Sequence, residues 1–371
     1  MHSIIILGAG QIGTAAKVII DSLQNQSNFG STDIVPVHLW DMEQKPEVTK
    51  VLNFNTLKPT ELAAELQSTV GLNGKGIVVN ALPFSLNEKV AQGAFAANCS
   101  YIDFTEDDIM ASKVQAIYTK NTELTCAVKC GLAPGFINYV GKQLTTKIDV
   151  PEKLMICVGA LPRCVSYSDK ESYLNYNLTW SVDGLVNEYI RPCNVKIAGM
   201  ETQVPPLTGL QNLVIDGRPF EAAFTSGGVG SLVKDLENLT DVSYKTIRYP
   251  GHYKYVLSAV QRHKWNFDLL KKEFLTLFPY TTDDMIVFYA EINGKSAAGT
   301  KRKETISGIL GSIELDGKRL TAIQATTAGS GVGMLQLIIA GKLSGIINHT
   351  DVSFDEFMNT SSVKNTYVWK V

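Results

Sequence analysis

The pattern of apolar and polar positions divides the chain into three zones. In the first, up to about residue 150, short unbroken apolar runs alternate with segments whose apolar residues recur at helical spacing. Ile4–Leu7, Ile34–Trp40 (interrupted only by Pro36), Gly76–Leu82, Ser100–Phe104 and Leu124–Val128 read as strands. Continuous runs of this kind are expected of strands buried on both faces of a parallel sheet. Between them, Ile12, Ala15, Ala16, Ile19 and Leu23 mark one helix, and Glu61–Thr69 and Asn87–Ala97 mark two more. In Gly131–Gly141, Pro134 and Gly135 predict a turn, and Phe136, Ile137, Val140 and Leu144 a helix after it.

The character changes near Pro151. Short alternating segments follow at Lys153–Val158, Leu178–Val182, Asn194–Ile197, Ala222–Thr225, Thr246–Tyr249, Ile286–Ile292 and Thr305–Ile313. Their Gly, Pro, Asn and Asp boundaries predict strands, interrupted by helices over Gly230–Leu239 and Asp268–Leu277. Helical spacing returns from Ala328, through Val332, Leu335, Gln336 and Ile339. Alternation of strand and helix, then an antiparallel block, then helix predicts an α/β fold. The expected form is a doubly wound parallel sheet, which the glycine loop and the resemblance described below make Rossmann-type, with an inserted mixed α+β domain expected to hold substrate. The expected division is 1–150 for the dinucleotide-binding domain, 151–327 for the insert and 328–371 for a segment returning to the first domain.

Composition narrows the function classes. With 45% apolar residues, 19% charged and a net charge of −2 over 371 residues, nothing draws the protein electrostatically to nucleic acid or an anionic membrane. No apolar run approaches the ~18 residues of a membrane span, and the N-terminus is already a strand, so a cytoplasmic protein without a signal peptide is expected. The six cysteines, Cys99, Cys126, Cys130, Cys157, Cys164 and Cys193, form no C-x-x-C pair. Reduced thiols and no metal site are expected.

The first loop carries the clearest chemistry. Gly8, Gly10 and Gly13 have the spacing G-x-G-x-x-G, directly after a strand and opening a helix. Gly8 allows a tight turn, Gly10 close approach of a pyrophosphate, and Gly13 close packing of helix on strand. Gln11 and Ile12 complete the loop, and the free amides at the helix start suit phosphates. Asp41, directly after the second strand, is placed to accept both ribose hydroxyls and to repel a 2′-phosphate, which favours NAD over NADP. Asn80, Ala81, Leu82 and Pro83 end a strand on the side where such sheets bind ligands.

Several loops in order then resemble one family. LGAGQIG at Leu7–Gly13, VVNALPFSLN at Val78–Asn87, YIDFTED at Tyr101–Asp107 and GLAPGFINYVG at Gly131–Gly141 carry the likeness in the first zone. VGALPR at Val158–Arg163, LTWSVDGLVNEY at Leu178–Tyr189 and TIRYPGH at Thr246–His252 carry it in the second. The chain resembles the saccharopine dehydrogenase-like family, and within it the lysine 6-dehydrogenase branch. It departs from the commoner pattern at Ala160, where a second Gly often precedes Leu-Pro. The resemblance implies a homodimer or homotetramer acting on an amino acid. It also implies NAD-dependent oxidative deamination of the lysine ε-amine to a semialdehyde that cyclises.

That chemistry needs a base to take a proton from the ammonium and a cation to fix the α-carboxylate. Asp103 and Asp107 are candidates for the base or for an electrostatic holder of the ammonium. Thr105–Asp108 equally suits a helix start. His252 is the alternative base or a turn histidine. Tyr176 is a donor or a packing residue. Arg163 and Arg248 are candidate carboxylate ligands or ion-pair partners. Trp180 walls the pocket or belongs to the core, and Thr225 and Ser226 lie in a loop able to approach substrate. Lys301, Arg302 and Lys303 read as a solvated hairpin. The competing functions are a saccharopine-type or carboxyspermidine-type reductase, which condenses an amine with a carbonyl, and a non-catalytic NAD-binding sensor.

Overall fold

The computed structural model describes residues 2–27, 29, 35–71, 74–163 and 176–368. Cys164, Ile34 and part of the polar loop Asn25–Thr32 lie outside them. The chain forms two compact units. One comprises Met1–Phe136, Glu314–Leu320 and Gln324–Tyr367; the other comprises Ile137–Ile313, Thr321–Ile323 and Val368–Val371. The first unit therefore ends at Phe136, earlier than the residue-150 boundary expected from composition, and the C-terminal helices belong to it.

In the first unit, β1 (His2–Leu7), α1 (Gln11–Asn25), β2 (Val37–Asp41), β3 (Lys50–Val51), α2 (Pro59–Val70) and β4 (Lys75–Asn80) alternate as the pattern predicts. Then come α3 (Asn87–Ala96), β5 (Cys99–Asp103), α4 (Asp108–Tyr118) and β6 (Cys126–Ala127). Among the described residues the sheet has seven parallel strands, in the order β17-β6-β5-β4-β1-β2-β3, with β17 being Ile346–Ile347 from the tail. The 3-2-1-4-5-6 portion is the doubly wound order, and it reverses between β1 and β4, where such folds bind nucleotides. Ile4, Ile5, Ile6 and Leu7 are fully buried, which is why the central strand reads as an uninterrupted apolar run. Ile5, Leu7, Val78 and Tyr101 pack with Leu62 and Leu66 of α2, Val90 of α3 and Val114 of α4.

Helix α10 (Ala322–Ile339) has 18 residues and is apolar enough by composition to cross a membrane, but 78% of it is buried inside the protein. It is a core helix that also carries the buried polar residues Thr326, Ser330 and Gln336. Its Gln336 donates to the Phe29 carbonyl and accepts from the Ser362 amide. Tyr367 donates to the Thr326 carbonyl. These bonds fasten α11 (Phe354–Asn359) and α12 (Ser361–Thr366) into the first unit.

The second unit contains α5 (from Phe136 to Thr145), β7 (Val150–Pro162), α6 (Val182–Ile190), β8 (Cys193–Ile197), β9 (Met200–Val204), β10 (Gln211–Ile215) and β11 (Arg218–Phe224). It continues with α7 (Leu232–Asp235), β12 (Asp241–Arg248), α8 (His252–Arg262), α9 (Phe267–Leu277), β13 (Asp284–Lys295) and β14 (Lys301–Leu310). The main path of its sheet is β10-β11-β12-β7-β13-β14, with β8 and β9 attached beside β12. β7 and β12 pair in parallel, and the other pairs are antiparallel.

Three expectations fail here for local reasons, and one helix was not expected. Leu178–Val182 is not a strand, because Ser181 caps α6 by accepting the Gly184 amide. Gly230–Leu239 shrinks to the single turn of α7. Thr305–Ile313 divides between β14 and a separate hairpin, β15 (Ile313–Leu315) and β16 (Lys318–Leu320). Helix α8 was not foreseen; Gly251 turns the chain at φ +93° just past a strand, and His252, Tyr253, Val256, Ala259 and Val260 form its buried stripe.

The tail of the first unit also carries a pH-sensitive contact. His349 is buried and hydrogen bonded through Nε2 to the Lys129 carbonyl at 3.2 Å. Burial, then the Lys129 charge, lowers its pKa to about 4 from an ordinary 6.5. The unfolded chain therefore takes up a proton that the folded one refuses. Stability contributed here is present above pH 6.5 and is lost as pH falls toward 4, at up to about 1.4 kcal/mol per pH unit. His349→Gln is expected to flatten that acid limb in urea titrations from pH 7 to 4; an unchanged slope would contradict the assignment.

Candidate functional site

The dinucleotide loop is built by contacts that exclude side chains. Gly8 has φ +98°, and a Cβ there would lie 2.9 Å from the Ala81 carbonyl oxygen. A Cβ on Gly13 would lie 1.8 Å from the Gly8 carbonyl oxygen, so α1 and β1 meet only because both positions are glycine. A Cβ on Gly10, by contrast, would meet nothing within 4 Å. Gly10 is also the N-cap of α1 and brings no side chain to the first-turn amides. Gln11 is exposed and Ile12 half-exposed at the helix start. An open backbone cradle ahead of an uncapped helix fits a pyrophosphate.

Asp41 ends β2 and is 8% exposed. Its Oδ2 accepts the Ala9 amide and its Oδ1 accepts the Glu43 amide at 2.9 Å. Burial pushes its pKa upward, but the Glu43 and Ala9 amides and the Lys45 ammonium outweigh that and hold it below the usual value. Across the switch point, the Ala81 amide donates to the Leu7 carbonyl. Ala81 and Leu82 are half-exposed and Pro83 exposed. Asn80 differs: it is buried, and its side chain bonds the Leu82 amide, Asn87 and Tyr101. It shapes the loop rather than presenting an amide to a ligand.

Asp103 lies inside a hydrogen-bonded network. It is fully buried and accepts from the side chains of Asn87 and Tyr101 and from the amides of Thr105 and Lys129. Burial raises its pKa against the pull of those donors. Four donors make it the hub of a polar network under β4, β5 and β6. Asp107 is half-buried and caps α4, accepting the Met110 amide at 2.8 Å. Thr105, expected as the cap, instead accepts the Asp107 amide.

The second unit gathers most of the remaining candidates. Arg248, 1% exposed, donates from Nε to the Tyr189 hydroxyl at 2.8 Å, from Nη1 to the Ile247 carbonyl and from Nη2 to Glu188 at 3.2 Å. Its guanidinium lies 5.0 Å from the Tyr176 ring. Tyr189 shares a 2.9 Å hydrogen bond with Nε2 of His252, which is fully buried. Trp180 donates to the Tyr176 hydroxyl at 3.3 Å. Thr225 bonds Thr246, and Ser226 bonds the Asn187 and Glu188 carbonyls at the end of α6.

Burial raises the Glu188 pKa to about 7 despite Arg248 beside it. Of the two alternatives for each residue, the geometry matches the ion-pair partner for Arg248, which bonds Glu188 and Tyr189, and a packed histidine for His252, which is buried against Tyr189. Arg163 is exposed at the end of β7, with its amide bonded to the Asp283 carbonyl.

The residues from 131 to 361 match the family model described as the saccharopine dehydrogenase C-terminal domain. The chain belongs to that family. Among solved structures it is similar to saccharopine dehydrogenase (L-Glu forming) from Saccharomyces cerevisiae, with a TM-score of 0.70 at 15% identity over 96% of each chain. It is also similar to homospermidine synthase from Legionella pneumophila, solved with NAD, with a TM-score of 0.60 at 15% identity over 98% of this chain and 89% of that one. These likenesses show the fold: an α/β dehydrogenase fold with a Rossmann-type sheet and a second mixed sheet.

Within the family match, Glu188 and Tyr189 were missed as the partners that hold Arg248. A signal was available, since both lie in the LTWSVDGLVNEY stretch and fall one turn from Leu185 on a helical face. The five cysteines within the described residues are free and buried.

Two outcomes test these assignments. Gly13→Ala forces a methyl into the Gly8 carbonyl and is expected to lower stability by ~1–3 kcal/mol, read as a fall in thermal midpoint; an unchanged midpoint would refute the packing. Tyr189→Phe leaves Arg248 Nε and His252 without their shared partner, at an expected ~1–3 kcal/mol. An unaltered urea midpoint for that variant would remove Tyr189 from its bridging place.

Proposed function

We propose that the protein is an NAD-dependent oxidoreductase that oxidatively deaminates the ε-amine of lysine. The observation that carries the cofactor is the open Gly10 backbone at the uncapped start of α1, with Asp41 at the end of β2. Family membership supports the amine chemistry. The bound NAD would accept the hydride. The chain's own residues would do the rest: Gly10–Ile12 seat the pyrophosphate and Asp41 binds the ribose hydroxyls. Asp107 would hold the ε-ammonium beside the cofactor and take its proton. The ε-carbon then loses a hydride. Water then adds to the carbon–nitrogen double bond, ammonia leaves, and the aldehyde closes on the α-amine with loss of water.

The condensing reductase is the competing reading, and it needs a second carboxylate ligand. Arg248 is engaged by Glu188 and Tyr189, so a second carboxylate ligand would have to come from elsewhere. A homodimer or homotetramer in the cytoplasm belongs to the same reading.

The direct test is NADH formation at 340 nm with lysine, ornithine, saccharopine and polyamines. Turnover on lysine with ammonia released is expected. NADH consumption when a semialdehyde and an amine are mixed, without turnover on lysine, would favour the condensing reductase. Binding of NAD with no reaction in either direction would leave the sensor reading. Asp107→Asn keeps a good helix cap and is expected to cut turnover much more than NAD affinity. Asp41→Ala is expected to weaken NAD more than NADP in titration; equal losses would count against the ribose role.

A further inference from the structure

The second unit holds a buried cation that no acid among the described residues neutralises. Lys245 lies on β12 and is 7% exposed. Its Nζ donates to the Gly209 carbonyl and to Gln211 Oε1, both at 2.6 Å, and lies 4.9 Å from the centre of the Phe224 ring. Both oxygens are neutral. Burial lowers the Lys245 pKa, and the only influence that raises it is Cys157 on the neighbouring β7. A buried cation is ordinarily met by a carboxylate, as Arg248 in the same unit is met by Glu188. An ammonium has three N–H donors, and the protein's own oxygens take two. The groups around it reach the surface: Gly209 is exposed, and Gln211, Phe224, Ser243 and Met155 are half-exposed. Phe224 and Cys157 flank Lys245 in register on β11 and β7, and Met155 pairs with Ser243 two residues along. These side chains therefore share one face of the sheet.

We propose that Lys245 is the anion-binding residue of a subsite for a small carboxylate, whose charged end takes the remaining N–H while its apolar part lies against Phe224 and Met155. One ammonium held by two neutral acceptors balances a monoanion; a phosphate dianion would keep uncompensated charge in a poorly hydrated place. Gln211 is the acceptor that competes with the ligand for the ammonium. The carboxylate is that of the amino-acid substrate or of a separate acid, and competition with lysine separates the two. The site lies within the second unit and does not depend on the reading of the nucleotide loop.

The test is calorimetric titration of the full chain with acetate and with butyrate at constant ionic strength, with chloride and inorganic phosphate as controls. Wild type is expected to bind butyrate more tightly than acetate, and both more tightly than chloride or phosphate. Lys245→Met is expected to weaken butyrate about tenfold. Gln211→Ala, at a half-exposed position, is expected to tighten it by removing the competing acceptor. Butyrate displaced by saturating lysine would assign the carboxylate to the substrate, and butyrate bound alongside lysine would assign it to a separate acid; either result upholds the subsite. Equal butyrate affinity in wild type and Lys245→Met would make the lysine a prop for the Gly209 turn and overturn the subsite. No butyrate binding by wild type, or binding no tighter than that of phosphate, would overturn it too. If Lys245→Met does not fold, an unchanged or weakened butyrate affinity in Gln211→Ala overturns the proposal by itself.

Discussion

The contact between Gly13 and the Gly8 carbonyl governs the nucleotide-binding half of the molecule. A methyl group at Gly13 would lie 1.8 Å from that oxygen, so α1 reaches its place only because no side chain intervenes. Its closeness brings the first-turn amides of α1 beside the ends of β1 and β4, where the sheet order reverses. The same loop binds Asp41 through the Ala9 amide and Lys45 through the Ala9 carbonyl. Loop, acid and cation are therefore one hydrogen-bonded assembly, and the chemistry available to a ligand's ribose follows from it.

The second unit is organised differently, around a buried charge. Arg248 and Glu188 are both almost wholly removed from water, and taking two charges out of water is costly unless each is well partnered. Tyr189, the Ile247 carbonyl and the Tyr176 ring supply the partners. Such a cluster contributes less net stability than its contacts suggest, while fixing how α6, α8 and β12 pack within their unit. The buried Asp103 network plays the corresponding part in the first unit. In both places, polar residues that look reactive in the sequence are buried and bonded within the protein.

The strand–helix alternation of the first unit was legible because its strands are buried on both faces and its helices show one apolar stripe. The turn at the glycine loop was legible from its spacing, and the position of Asp41 from its place directly after the second strand. The second unit was less so. Its segment around Leu178–Val182 alternates like a strand, yet a Ser181 cap turns the chain into α6. Helix α8 is separated from β12 by three residues, Tyr249, Pro250 and a left-handed Gly251, and the Pro-Gly pair signals a turn without announcing the helix behind it. Asp103 and His252 were singled out by residue type, but burial, which decides whether a carboxylate or imidazole can meet a ligand, emerges only when distant segments pack.

The most direct test of the account is hydrogen exchange of the full chain with and without NAD. The account predicts slowed exchange at the amides of Gly10–Ile12 and around Asp41 and Leu82, where the backbone is open to a ligand. Saturating NAD without protection at these positions, or protection confined to the second unit, would contradict it.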